Sequence, residues 1–416
     1  MQLAKLQALI GELLPANRFY TAKLPPGFAP SSLAEFFERT PFTTKQELAL
    51  DQLAHPPYGS NLTYALERYS RFSQTSGTSG RPMRWLDTAE SWDWMLANWR
   101  RVYESAGVTG ADRVFFAFSF GPFLGFWVAF EAASRMGCLC MPGGGMPTAA
   151  RLAVILDTGA TVLCSTPTYA IHMAEVAERE GIDLGRSQVR SIIVAGEPGG
   201  SIPATRRRIE ELWPGARVMD HHGMTEIGPV SYGCPANPDM LHVIESAYIA
   251  EVIDPETGRA VPRGTRGELV LTNLGRAGSP LLRYRTGDLV AAAAAASSGQ
   301  ERCACGTSDL ALPGGILGRS DDMVVVRGVN VYPGAIEEVL RGAGGVAEYR
   351  VRVSNAAGMT ELSIEVEADG TGQADRLAHR LEARLREALS LRIPVSVTAA
   401  GALPRFEMKA RRWIRE

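Results

Sequence analysis

The stretch Gln74-Thr75-Ser76-Gly77-Thr78-Ser79-Gly80-Arg81-Pro82 sets four hydroxyl side chains and two glycines in one short segment. Glycine lets the backbone approach a ligand closely, and main-chain N–H groups and hydroxyls supply donors. A loop of this composition can therefore wrap a polyphosphate. Its spacing is not that of a Walker loop, which needs G-x-x-x-x-G-K-[ST]. The other reading is a plain Ser/Gly/Thr linker. What favours the first is that five more phosphate- or nucleotide-like segments follow it in order.

The chain has 416 residues, more than one ordinary core supports, so two or more domains are expected. Hydrophobic content of 45% with 21% charged residues is that of a soluble globular protein. A net charge of −2 carries no electrostatic footprint of nucleic-acid binding. Met1–Leu14 is amphipathic, is broken by Lys5 and Glu12, and lacks a secretory pattern. The longest apolar stretch, Val114–Phe130, contains Gly121, Pro122 and Gly125, which argue for a buried strand–turn–helix rather than a membrane span. The expectation is a cytoplasmic protein with neither a nucleic-acid nor a membrane partner; a homodimer is left open.

Beyond the loop, helical and short apolar segments alternate. Asp87–Ala106, Phe123–Met136, Thr148–Asp157 and Ile171–Glu180 read as helices. Val114–Phe118, Cys138–Met141, Val162–Cys164 and Ser191–Ala195 read as strands. Such alternation means a parallel sheet with covering helices. The first 70 or so residues read as helical and loop-rich, with a capped helix start at Ser31–Glu35. From Ala247 onward the pattern turns to strand and turn: Tyr248–Ile253, Asp254–Gly258, Gly267–Thr272. A boundary is expected at Gly318-Arg319-Ser320-Asp321-Asp322, followed by a compact α+β unit. Ala291–Ala296 is low-complexity and reads as a solvent loop. The fold class is thus α/β. A large N-terminal domain, residues 1–318, combines parallel and mixed sheets with helices and includes a β-rich subdomain over 247–318. A small α+β domain spans 319–416.

The six cysteines do not suggest a disulfide framework. Cys138, Cys140 and Cys164 sit in apolar segments and read as buried hydrophobes. Cys234, Cys303 and Cys305 lie in loop-like sequence, and their three thiolates with the imidazole of His242 would make a closed tetrahedral zinc site of structural type. C-x-C is less specific than C-x-x-C, and the alternative is free loop thiols in a reducing compartment.

The other segments are Gly196-Glu197-Pro198, His222-Gly223-Met224-Thr225-Glu226, Tyr284-Arg285-Thr286-Gly287-Asp288, Gly318-Arg319-Ser320-Asp321-Asp322 with Arg327-Gly328, and Leu403-Pro404-Arg405-Phe406-Glu407-Met408-Lys409. With the Thr75–Pro82 loop, in this order, they resemble the adenylate-forming superfamily of acyl-CoA synthetases, luciferases and peptide-synthetase adenylation domains. Pro41-Phe42-Thr43-Thr44-Lys45, Gly143-Gly144-Gly145 and Arg327-Gly328-Val329-Asn330-Val331-Tyr332-Pro333 are more similar to the phenylacetate–coenzyme A ligase branch. The resemblance covers nearly the whole chain.

That resemblance implies activation of a carboxylate by ATP with release of pyrophosphate, then transfer of the acyl group to a thiol. It implies that Thr75, Ser76, Gly77, Thr78, Ser79 and Gly80 hold the β- and γ-phosphates, with Arg81 in a cationic place beside them. Thr225 would touch the α-phosphate and Glu226 would hold Mg²⁺. Gly196, Glu197 and Pro198 would border the adenine, Asp288 would accept the ribose hydroxyls, and Arg319 would support the ribose. Asp321 would be the hinge of a mobile small domain, and Lys409 would reach the reacting carboxylate and α-phosphate. Two positions depart from the family pattern: Met408 stands where glycine is usual, and His222 where tyrosine is usual beside the acyl site.

The acyl pocket would be walled by Phe118, Phe123, Trp127, His222 and Gly223. The Phe118–Trp127 segment, rich in aromatics with glycines between, suits a flat ring. No acidic residue in the flanking motifs would receive an α-amino group, which favours an aryl acid over an amino acid. The acceptor implied is coenzyme A; an acyl carrier protein or an amine is the alternative. A different class, a non-catalytic nucleotide-binding scaffold, is opposed by the presence of Glu226, Asp288 and Lys409. No Walker lysine or kinase signature supports phosphoryl transfer.

Overall fold

The structure is a computed structural model that describes residues 1–75, 82–294, 302–320, 322, 324–326, 329–356, 359–370, 374–406 and 410–415. Four short helices open the chain: α1 (Gln2–Leu13), α2 (Arg18–Lys23), α3 (Leu33–Arg39) and α4 (Lys45–Ala54). Each of the last three begins where the sequence offers a side-chain cap. Asn17 accepts from Tyr20 N, Ser32 from Glu35 N, and Thr44 forms a full capping box with Glu47. Leu6, Leu9, Ile10 and Leu13 of α1 bury one stripe against Tyr20, Phe36, Ile249 and Leu282.

The hydroxyl-rich loop joins two antiparallel strands, β1 (Tyr69–Gln74) and β2 (Arg84–Thr88). The long helix α5 (Ala89–Ser105) follows, capped by Thr88. Then comes the alternation expected from sequence: β3 (Arg113–Phe116), α6 (Leu124–Arg135), β4 (Leu139–Pro142), α7 (Thr148–Asp157), β5 (Val162–Ser165), α8 (Pro167–Arg179), β6 (Ser191–Val194), α9 (Pro203–Leu212) and β7 (Arg217–Asp220). Among the described residues β3–β7 form one five-stranded parallel sheet in the order β4-β3-β5-β6-β7. Helices cover both faces. One face packs into a core with Trp92, Trp99, Val128 and Ala132, the other into a core with Leu152, Tyr169, Met173 and Trp213.

After β7 the chain becomes strand-rich. A tight hairpin, β8 (Gly223–Met224) and β9 (Gly228–Pro229), leads to β10 (Ser231–Gly233), β11 (Met240–Val243), β12 (Tyr248–Ile253), β13 (Arg266–Asn273) and β14 (Tyr284–Ala291), then β15 (Ala311–Pro313) and β16 (Gly318–Arg319). The sheet β10-β11-β15 and the sheet β12-β13-β14-β16 are both antiparallel.

A separate core is built from residues between Val324 and Val395. Its elements are β17 (Val324–Val326), β18 (Val329–Val331), α10 (Pro333–Ala343), β19 (Val346–Ala356), β20 (Met359–Ala368), α11 (Ala374–Leu389), β21 (Val395–Thr398) and β22 (Trp413–Arg415). The sheet order is β21-β20-β19-β22, so the last strand returns to lie parallel to β19. The architecture is therefore α/β with a large N-terminal part and a small C-terminal α+β unit. No helix among the described residues is long and apolar enough to cross a membrane.

Candidate active site

Residues marked by the sequence gather at the carboxyl ends of the parallel strands. Phe118 follows β3, the glycines Gly143–Gly145 follow β4, and Thr166–Thr168 follow β5. Gly196–Pro198 follow β6, and His221–Glu226 follow β7. The carboxyl edge is where open α/β sheets bind ligands.

The β1–β2 hairpin brings Thr75 to the same place. Thr75 N donates to Met83 O at 2.9 Å and Met83 N to Thr75 Oγ1 at 3.0 Å, closing the loop at its neck. Gln74 N donates to Pro122 O at 2.8 Å, which sets this neck beside the aromatic turn after β3. Thr75 is placed by these bonds; Ser76, Gly77, Thr78, Ser79, Gly80 and Arg81 lie outside the described residues.

Thr225 and Glu226 occupy the turn of the β8–β9 hairpin. The turn is tight: Ile227 N donates to Met224 O at 3.2 Å, and Gly228 returns the chain at φ +97°, a conformation L side chains rarely adopt. Glu226 is buried, and its carboxylate faces Lys45 Nζ at 3.2 Å, while the Lys45 side chain is 47% exposed. Lys45 is delivered by the Thr44 capping box at the start of α4. The preceding residue, Thr43, is anchored to the head of β14 by Thr43 N to Arg283 O and Arg285 N to Thr43 O. The sequence reading did not assign Lys45 to the site, although Thr44-x-x-Glu47 was there to fix the helix start.

Asp288 lies on β14, 5% exposed. Its Oδ2 accepts from His222 Nε2 at 2.9 Å, and its Oδ1 from Arg319 Nη1 at 3.2 Å. Arg319 comes alongside because β16 pairs Arg319 with Asp288 in the sheet, and Gly287 leaves room, since a Cβ there would meet Arg319 Nη2 at 2.9 Å. His222 thus spends Nε2 on Asp288, and Nδ1 is left without a partner among the described residues. Its neighbour His221 is held differently. The ring lies against Trp99 with centroids 4.3 Å apart, Nδ1 lies 2.6 Å from Ser231 O, and burial pushes the imidazole down to about 3.

The aromatic segment folds back on itself. Phe118 stacks on Phe126 with centroids 4.1 Å apart, Phe123 meets Phe126 edge-on at 5.9 Å, and Phe120 meets Trp127 at 4.9 Å. Trp127 is 40% exposed and donates Nε1 to Gly121 O at 2.9 Å. Helix α6, which carries Phe126 and Trp127, packs beside the β8–β9 hairpin and so near Gly223.

Glu197 bridges the two parts of the chain. Its Oε1 accepts from Thr168 N at the start of α8 and its Oε2 from Ala410 N, both at 2.8 Å. Arg412 Nη2 reaches Thr168 Oγ1 at 3.2 Å while Nε donates to Glu348 at 2.6 Å. Burial alone would press the Arg412 guanidinium down, but Tyr349, Glu337 and Glu348 around it outweigh that and raise it above its ordinary value. The C-terminal segment is therefore seated on the carboxyl edge of the parallel sheet. Asp321 and Lys409 themselves lie outside the described residues.

Cys234, His242, Cys303 and Cys305 converge, with ligand atoms all within 4.8 Å of one another. Cys234 follows β10, His242 lies on β11, and the two further cysteines sit on a turn closed by Gly306 N to Cys303 O at 2.8 Å. Cys234 Sγ is 3.6 Å from Cys303 Sγ, and Cys305 Sγ is 3.5 Å from His242 Nε2. A tetrahedron with metal–sulfur bonds of about 2.3 Å and metal–nitrogen bonds of about 2.0 Å has edges of roughly 3.8 and 3.5 Å, so the spacing suits a tetrahedral ion. His242 Nδ1 is 3.1 Å from Asp309 O, which fits an Nδ1–H donor and leaves the Nε2 lone pair facing the thiols. The cluster can hold a metal ion.

The family profile of AMP-binding enzymes matches residues 73–276, and that of the AMP-binding enzyme C-terminal domain matches 328–416. The chain belongs to the AMP-binding enzyme family. It is similar to the phenylacetate–coenzyme A ligase of Pseudomonas putida, 30% identical over 90% of this chain and 84% of that protein. It is also similar to the enzyme of the same name from Thermus thermophilus, 30% identical over 90% and 85%. Among solved structures it superposes on 2-hydroxyisobutyryl-CoA ligase in the postadenylation state, in complex with 2-HIB-AMP, with TM-score 0.93, 30% identity, and coverage of 100% of this chain and 89% of that one. Against the same ligase in the thioesterification state the TM-score is 0.73 at 31% identity, with the same coverage.

Proposed function

We propose that the protein joins an aromatic carboxylic acid to coenzyme A in two steps at one site. In the first, a carboxylate oxygen attacks the α-phosphorus of ATP, the bond to the β-phosphate oxygen breaks, and pyrophosphate leaves with the electron pair. In the second, the thiol of coenzyme A attacks the acyl carbon of the adenylate, AMP departs, and a thioester remains. The observation that carries this reading is the gathering of Thr75, Glu197, Thr225, Glu226, Asp288 and Arg319 around one sheet edge in an AMP-binding enzyme. Its relatives at 30% identity are named phenylacetate–coenzyme A ligases.

In this reading Thr75–Arg81 cradle the β- and γ-phosphates, Thr225 meets the α-phosphate, and Gly196–Pro198 border the adenine. The Asp288 oxygens, each already accepting one hydrogen bond, keep acceptor capacity for the ribose hydroxyls. Glu226 fits a Mg²⁺ ligand: it is a buried carboxylate whose described ion pair is with a half-exposed lysine on a flexible stem, and Mg²⁺ takes one or two carboxylates plus phosphate oxygens. When bound, the ion neutralises charge on the phosphates. Lys409 does the same for charge building between carboxylate and α-phosphate. The two steps need different surroundings, so the small domain turns about Asp321 between them. The seat of the C-terminal segment on Glu197 and Thr168 belongs to the first arrangement, consistent with the higher TM-score to the postadenylation state. Zinc in the Cys234–His242–Cys303–Cys305 cluster clamps the strand-rich region and takes no part in the chemistry.

An aromatic acid is favoured by the ring-lined turn of Phe118, Phe120, Phe123, Phe126 and Trp127. Acid-dependent pyrophosphate exchange over benzoates, hydroxy- and aminobenzoates, arylacetates and 2-hydroxyisobutyrate tests this. An aryl acid should give the highest kcat/KM. Exchange supported by the aliphatic hydroxy acid alone would remove the aromatic part of the proposal.

A further inference from the structure

We propose that Arg276 is the positioning residue that sets the Thr225–Glu226 turn, and that Asp87 holds it there. The inference rests on reading that turn as part of the adenylation site. Arg276 and Asp87 are both fully buried, 0% exposed. Arg276 Nε and Nη2 grip the two oxygens of Asp87 at 2.6 and 2.7 Å. Nη1 donates to Thr225 O and to Glu226 O, each at 2.8 Å. The guanidinium carbon sits 5.3 Å from the centre of the Trp85 ring.

The geometry uses what distinguishes arginine from lysine. A planar guanidinium presents N–H groups in a fixed fork, so one side can take a carboxylate while the other takes two carbonyls. An ammonium is a compact point charge and cannot span both. Two successive carbonyls held by one nitrogen fix the rotation of both peptide planes. Oxygens engaged in this way are also unavailable to face an anionic phosphate.

The ion pair is not explained by stability alone. A buried pair costs several kcal/mol of desolvation per ion, and well-packed apolar residues of similar volume often serve as well or better. What an apolar pair cannot do is hold the carbonyls. Asp87 also ties the turn to the other half of the site. It lies on β2, the strand that leaves the hydroxyl-rich loop, and its register partner on β1 is Arg71. Arg276, 189 positions from Asp87 in sequence, thus connects the strand that follows that loop to the Thr225–Glu226 turn.

The test uses the double variant Asp87→Leu/Arg276→Met, which refills the volume without charge, and the single variant Arg276→Lys. Three quantities are read on each: thermal unfolding, amide hydrogen exchange of the peptide spanning 223–229, and the two half-reactions separately. The double variant should still fold but unfold a few degrees lower, because two turn carbonyls lose their donor, and its turn should exchange faster. Its kcat for pyrophosphate exchange should fall about a hundredfold, as expected for a misplaced reacting group. KM for ATP should change much less, and thiolysis of supplied acyl-adenylate should be little affected. Wild-type exchange of the turn together with wild-type kcat in the double variant would overturn the proposal, because Arg276 would then only fill space. If the double variant does not fold, Arg276→Lys decides: unchanged amide exchange in the turn overturns the proposal, and accelerated exchange supports it. If wild-type protein shows no pyrophosphate exchange with any acid, the enzymatic reading falls, while amide exchange still reports on the anchoring.

Discussion

If the Cys/His cluster holds the proposed zinc, replacing Cys303 by serine should release it and remove a crosslink that spans much of the strand-rich region. Cys303 faces Cys234 across 69 positions of sequence. Closing a loop of that length in the unfolded chain is worth about 4 kcal/mol on the chain-entropy scale used for disulfides, and a four-ligand clip acts in the same way. Spread over the unfolding entropy of a chain this long, a loss of about 4 kcal/mol lowers Tm by roughly 5 °C. Serine keeps the size of the side chain but is a poor ligand, so the loss reflects the metal rather than a cavity. The assay is metal analysis of purified protein beside calorimetry, with and without a chelator. Wild type should carry about one zinc per chain, and Cys303→Ser much less. ATP affinity of the folded fraction should hardly move. Wild-type protein that is metal-free and fully stable, or a variant that keeps its metal, would show that no such clip holds this region.

Lys409→Ala should slow acyl-adenylate formation at least about a hundredfold, near 3 kcal/mol, while thiolysis of supplied adenylate suffers far less; equal losses in both would remove its proposed role. Asp288→Asn replaces the carboxylate held by His222 and Arg319, and should raise KM for ATP about tenfold with a smaller change in kcat, which initial-rate kinetics would check. His221, held at about 3 against 6.5 for a free imidazole, should make stability fall in mild acid. Above 6.5 neither state binds the proton; between 6.5 and 3 the unfolded chain takes it up and the folded one refuses it, at a cost of up to about 1.4 kcal/mol per pH unit. His221→Asn, which keeps a donor for Ser231 O, should flatten urea midpoints measured between pH 6.5 and 5, and an unchanged slope would show that other groups set it.

Much of the fold is legible because periodicity reports burial directly. Thr148–Asp157 and Tyr248–Ile253 stand where the sequence places them, and the alternation between residues 113 and 194 does give a parallel sheet. Other features depend on distant partners. The sequence reading starts a helix at Asp87, but Asp87 belongs to β2 because Arg276, far along the chain, needs it there. Helix α8 begins at Pro167, four residues before the expected start at Ile171. The Thr166 cap and the proline at its first position were the signal, outweighed by the apolar run after them. Of the site, the Cys/His cluster is readable from residue chemistry despite its unusual spacing, and the structure brings its four members together. Lys45, Arg276 and the Glu197 bridge to Ala410 are not readable, because a lone basic residue or a backbone N–H carries no local mark of the partner it meets in the fold.

The chemistry is tested most directly by what the protein makes. Purified protein should be given ATP, Mg²⁺, coenzyme A and an aryl acid, and the products identified by mass and by phosphorus NMR. The expected result is AMP and pyrophosphate in equal amounts with an aryl-CoA thioester, and, when coenzyme A is withheld, acyl-adenylate retained on the enzyme. ADP and inorganic phosphate in place of AMP and pyrophosphate, or turnover of ATP that does not depend on any acid, would contradict it.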